Sequence, residues 1–226
     1  MLLLALDTAT PAVTVALHDG TRVLAAGDTV DARRHGELLL PTVDRVLTEA
    51  GRTLDELTGI VVGVGPGPYT GLRVGIATGS ALAAARSVPV HGLCSLDSLA
   101  YASGLTEPFV VATDARRREV YWARYEDARH RTGEPEVGRP SELPEEVRAL
   151  PALGAGAAQY AADFPGLLPD APAHASAAAL AALAAERLAA GEELASPSPL
   201  YLRRPDAQVP AGYKVVTPPA PPARDS

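Results

Sequence analysis

Two aspartates, Asp7 and Asp114, each close an apolar run, residues 2–6 before the first and 109–113 before the second. Carboxylates delivered by strand ends to a shared cleft can hold magnesium on nucleotide phosphates. The competing role is local, since an aspartate at a strand end also accepts backbone amides of the turn that follows. Spacing alone leaves both open. A phosphotransferase would further need a glycine-rich adenosine loop, and only Gly154, Ala155 and Gly156 resemble one. A two-metal nuclease would need several clustered carboxylates, yet Glu37 is the only acidic residue at a plausible core helix start.

Other chemistries are excluded on residue type. Histidines at i and i+4 on one helix can share a metal ion, but His35 is followed at that spacing by Leu39, and the other histidines are scattered, so no metal site is expected. No Gly-x-Ser-x-Gly elbow supports a serine hydrolase. Cys94, the single cysteine, reads as an ordinary buried thiol beside Gly92 and Leu93. The loop at residues 65–71 joins a strand to a helix start, where free amides can hold an anion, but Leu72 and Arg73 stand where a Walker loop has Lys and Ser or Thr. Its two prolines and three glycines favour a rigid turn. Behind it Gly71, Gly75, Gly79 and Ala83 fall four apart, on one helix face. An interior glycine costs about 1 kcal/mol against alanine, so the stripe implies that another backbone approaches closely, inside the chain or in a partner.

The elements that must position these groups follow from periodicity. Residues 2–6, 12–17 and 21–26 read as a strand meander and His35–Ala50 as a helix with Pro41 in its first turns. A buried strand at 60–64 enters the glycine loop, a helix runs to Arg86, and a further helix follows Ser95 as cap. At Phe109 the opening pattern returns: an apolar strand ending in aspartate, then a second strand at 119–125. Two related α/β halves are expected, residues 1–105 and 106–205, with 134–151 as a connection carrying one short helix and 175–190 as a helix of the second half. Residues 206–226 form a proline-rich tail expected to fray.

The formal net charge of −7 argues against a surface that grips nucleic acid as a whole. Arginine outnumbers lysine nineteen to one, so the run Arg116, Arg117, Arg118 is expected to be a solvated turn and not an RNA site. The N-terminus has no basic flank and no 18-residue apolar run is free of charge, which together predict a cytoplasmic protein with no membrane contact.

Four blocks carry a resemblance: LALDTAT at 4–10, GVGPGPYTGLRVGIATG at 63–79, DARRREVYWARY at 114–125 and PLYLRR at 199–204. In this order they resemble the TsaB (YeaZ) family. The resemblance implies an actin-like (ASKHA, RNase H-like) duplicated fold and a non-catalytic role in forming N6-threonylcarbamoyladenosine at position 37 of tRNAs that read codons beginning with A. In the family TsaD transfers the group with a metal held partly by an HxxxH pair, TsaB joins TsaD, and the ATPase TsaE completes the complex. Here only His35 of that pair is present. The resemblance also implies a partner surface, for TsaD or a second copy, made by the helices at His35 and Gly71, including His35, Leu39, Val43, Gly71, Leu72, Gly75, Gly79 and Ala83. It lowers Asp7 and Asp114 to weak cofactor candidates, so no cofactor is expected. With an acidic balance and 4% aromatic residues, the isolated chain should bind tRNA only weakly. Filter binding at physiological salt should give a dissociation constant above about 1 μM; tighter binding would contradict the acidic-surface argument.

Overall fold

The computed structural model describes residues 1–203. The expected tail at 206–226 lies outside them. The chain forms two sheets of the same design. The first contains β1 (Leu3–Asp7), β2 (Ala12–His18), β3 (Val23–Val30), β4 (Gly59–Gly63) and β5 (Val90–Leu93), in the order β3-β2-β1-β4-β5. The meander β1 to β3 is antiparallel, whereas β1, β4 and β5 run parallel. The second contains β6 (Phe109–Asp114), β7 (Val120–Tyr125), β8 (Arg131–Gly138) and β9 (Ala152–Leu153), in the order β8-β7-β6-β9, again a meander with a parallel neighbour. β1 and β6 occupy equivalent places, and each ends on its aspartate. This is the duplicated actin-like α/β fold.

Strand alternation divides the first sheet between two helical layers. Leu4, Leu6, Val15, Ile60 and Val62 point to one face, where α1 (His35–Ala50) supplies Leu39, Val43, Val46 and Leu47 and α2 (Tyr69–Arg86) supplies Ala83. Leu3, Ala5, Ala16 and Val61 point to the other and meet α6 (Ala177–Ala189) through Ala177, Leu180, Ala181 and Ala184. The alanine richness of α6 has a packing role, because its short side chains form the layer in contact with the sheet. The second sheet packs through Phe109, Val111, Ala123 and Tyr125 on α3 (Ser95–Ser103) and Cys94. Its other face is covered by the short helices α4 (Glu145–Arg148) and α5 (Ala155–Gln159), with Val147, Ala157 and Phe164.

Several expectations change. The 105/106 division falls between the sheets, but α6, assigned to the second half from sequence, covers the first. Within residues 134–151 the structure has strand β8 reaching in from Arg131; only its Pro135 is buried, the mark of a charged edge strand in which a missing amide is tolerated. Ser95 is not the cap of α3 but its first residue, with Cys94 before it. Pro41 sits in the second turn of α1, past the position where a missing amide costs nothing.

The main correction concerns the small-residue stripe. Leu39, Val43, Gly71, Leu72, Gly75, Gly79 and Ala83 are all buried within this chain. A Cβ on Gly79 would lie 2.3 Å from Val62 Cγ1, and one on Gly75 would lie 2.5 Å from Thr8 Oγ1. What approaches α2 is therefore the Thr8 carbonyl and side chain together with the Val62, Ile60 and Leu6 side chains of β1 and β4, and the stripe is core packing. Gly79→Leu should lower monomer stability by about 1–3 kcal/mol or more through overpacking. Thermal unfolding of the isolated variant checks this, and an unchanged melting temperature would return the stripe to the surface.

Candidate functional site

Asp7 is 1% exposed. Its Oδ2 accepts the Ser95 hydroxyl at 2.6 Å and its Oδ1 accepts the Ala9 amide at 2.7 Å. Gly63 stands against it so closely that a Cβ there would lie 1.8 Å from Oδ2. One oxygen thus holds the turn after β1 and the other ties the strand end to the first residue of α3. Burial pushes the carboxyl above the usual aspartate range, with the Ser95 and Ala9 hydrogen bonds opposing that shift. Asp114 is only half-buried and accepts the Arg116 amide at 2.9 Å, the same turn-capping role in the second half.

The glycine loop is locked to that turn. The Gly65 amide donates to Ser95 Oγ at 3.1 Å and the Ser95 amide to the Gly65 carbonyl at 2.7 Å. A Cβ on Gly67 would meet the Ala9 carbonyl at 2.2 Å, so only glycine lets the two loops touch. Thr8 completes the joint: its hydroxyl donates to the Gly71 carbonyl at 2.7 Å and accepts the Gly75 amide at 3.0 Å. The loop is the rigid turn that its prolines and glycines imply.

Beside this joint a cleft of about 410 Å³ is lined by Thr8, Thr10, Arg33, His35, Gly71 and Arg116, among others. The structure therefore brings His35 and Gly71 together at one opening, with Asp7 buried behind it. His35 Nε2 lies 2.9 Å from the Thr10 carbonyl, while Leu39, one turn on, is 1% exposed inside the apolar cluster. The helix position that would carry a second ligating histidine thus faces hydrocarbon. Among the described residues no group of three or more His, Cys, Asp or Glu is placed to hold a metal. Cys94 is buried, and desolvation pushes its thiol well above the ordinary range.

At the rim of the cleft and beyond it, α1, α2 and the segment after α6 expose a further set. Leu40 is 54% exposed, and Tyr69 and Tyr201 are 44% and 42% exposed. The two tyrosine rings stack with centroids 4.9 Å apart, and the Arg73 guanidinium lies 3.8 Å from the Tyr69 ring centre and donates to Tyr201 Oη at 3.3 Å. Sequence reasoning used Arg73 to exclude a Walker loop and gave Tyr201 no role. The signal available was the PLYLRR block itself, whose partner across the chain periodicity could not supply.

A family model described as TsaD: tRNA N6-adenosine threonylcarbamoyltransferase matches residues 29–143. YeaZ from Pseudomonas aeruginosa has 34% sequence identity and a TM-score of 0.77, covering 89% of this chain and 99% of its own. The chain belongs to the TsaB/YeaZ family. An uncharacterized protein of Mycobacterium tuberculosis is 45% identical over 91% of this chain and 93% of its own length. The tRNA threonylcarbamoyladenosine biosynthesis protein TsaB of Escherichia coli is 39% identical over 56% of this chain and 55% of that protein. Among the described residues of this TsaB/YeaZ member, no helix is long and apolar enough to cross a membrane.

Because the folded state holds the Asp7 proton more tightly than the unfolded chain, Asp7 contributes stability below the usual aspartate range and loses it as pH rises through its raised folded value. Asp7→Asn, which lacks this titration, should therefore gain stability relative to the parent as pH rises from about 4 to about 7. Thermal unfolding of both proteins across that range checks the sign, and a variant that loses stability relative to the parent as pH rises would show that the ionised carboxylate is stabilised by its hydrogen bonds.

Proposed function

We propose that this chain is a non-catalytic subunit of the machinery that forms N6-threonylcarbamoyladenosine at position 37 of tRNAs reading codons beginning with A, acting by pairing with the catalytic relative TsaD. The single observation that carries this reading is the treatment of the would-be chemical positions. Asp7 is consumed in a buried turn, His35 is held on the Thr10 carbonyl, and Leu39 lies in the core. The same two helices present exposed Leu40, Tyr69 and Arg73 on their outer sides. The partner surface is thus assigned to the outer faces of α1 and α2, not to the buried stripe. A second copy can use the same face, TsaE joins through the TsaB–TsaD pair, and tRNA is met only indirectly. The place of action is the cytoplasm, and no cofactor is required of this chain.

An aromatic ring and an arginine at the centre of such a face are the residue types that dominate interface energy. Leu40→Asp should remove co-sedimentation with TsaD of the same organism while leaving the melting temperature within a few degrees of the parent, since an exposed substitution costs about 0.5 kcal/mol or less. Normal association of the variant would overturn the surface assignment. Turnover of ATP by the purified chain alone at about 1 per second or faster, abolished by Asp7→Asn, would favour an independent actin-like ATPase or phosphotransferase and overturn the subunit reading itself.

A further inference from the structure

After α6 the chain returns across the molecule, and residues 195–203 touch both halves in succession. The Gly92 amide of β5 donates to the Ala195 carbonyl at 2.8 Å, and the Leu200 amide donates to the Val64 carbonyl at 2.8 Å. Tyr201 then stacks on Tyr69 and takes the Arg73 hydrogen bond on the outer side of α2. Two residues later the Arg203 guanidinium pairs with Glu119 and reaches the Arg116 carbonyl at 3.5 Å. The segment therefore starts on the first sheet, crosses the start of α2, and ends on the β6–β7 turn of the second.

That turn is an unusual object to hold. Arg116, Arg117 and Arg118 have φ of 60°, 56° and 62°, three successive non-glycine residues in the left-handed region. Such backbone persists only when its surroundings over-determine it. Inside the turn the Arg116 amide is bound by Asp114, the Ala115 amide donates to the Glu119 carbonyl at 2.9 Å, and the Glu119 amide donates to the Arg116 carbonyl at 3.0 Å. Arg203 grips the two ends that these bonds join, the Glu119 side chain and the Arg116 carbonyl. Arg116 also lines the cleft beside Thr8 and His35.

We propose that residues 195–203 are a strap that couples the outer face of α2 to the arginine turn of the second half, so that Tyr201 seated on Tyr69 and Arg73 fixes where Arg116 stands at the cleft mouth. A protein docked on Arg73 and on Tyr69 at the cleft rim then also acts on Arg116 through the strap. Short-range mechanics supports the link, because only Leu202 separates the stacked ring from the gripping guanidinium.

Amide hydrogen exchange on the isolated full-length chain tests this without any partner, so its outcome is separate from that of the association experiment. Tyr201→Ala, whose ring lies away from the turn, should speed exchange of the Ala115 and Glu119 amides by on the order of tenfold, and Arg203→Ala should do so at least as strongly. The β1 amides should keep parental rates, which shows that the fold persists, and Tyr201→Phe should restore slow exchange because it keeps the stack. Fast exchange in Arg203→Ala alone would reduce the contact to a local ion pair and overturn the coupling. Parental rates in both variants would overturn the strap altogether.

Discussion

The Thr8 hydroxyl, set between the Gly71 carbonyl and the Gly75 amide, imposes a separation between α2 and the turn after β1 that no side chain on the helix could share. Much of the site follows from that distance. With α2 so close, the glycine loop must fold flat against residues 8–10, and Gly67 packs on the Ala9 carbonyl. The Asp7 carboxylate is enclosed and takes hydrogen bonds from Ser95 and Ala9. An aspartate that a phosphotransferase would present to a nucleotide is here part of the wall. The cost of three glycines in one helix, about 1 kcal/mol at each interior position, is offset by this joint and by the contact of α2 with β4.

How much of this could be read from sequence depended on whether the signal was local. The strand-end aspartates, the repeat of the opening pattern at Phe109 and the amphipathic spacing of α1 are local, and each predicted its element. The stripe at Gly71, Gly75, Gly79 and Ala83 was also plain, but it reports only that something comes near; whether the neighbour is one's own strand or another molecule is a long-range fact. β8 was missed because an edge strand with charged residues and a proline shows almost no alternation. Arg203 on Glu119 joins residues whose pairing no periodicity encodes.

The two halves are bound together by more than the strap. Asp97 on α3, nearly buried, receives the Tyr125 hydroxyl at 2.9 Å and Arg131 at 2.8 Å from the second sheet, with Arg187 of α6 at 3.9 Å. At the surface beside it Glu186 of α6 takes Arg129 through two bonds of 2.9 Å and the Tyr101 hydroxyl at 2.6 Å. Removing one partner from the Asp97 cluster would leave charge uncompensated in a buried place, which is far costlier than breaking an exposed pair. The duplicated architecture is thus joined by charged contacts at α3 and α6 as well as by the strap across α2.

The placement of α6 also governs the order in which the molecule can be made. Its residues leave the ribosome after both sheets have been synthesised, yet they supply the layer that covers Leu3, Ala5, Ala16 and Val61. Until residue 189 has emerged, the first half carries an uncovered apolar face however completely its strands have paired. Domains generally fold as units from the N-terminus during synthesis. In this chain the earliest sheet is among the last parts to be finished, and its nascent form is the species that must be kept from aggregating.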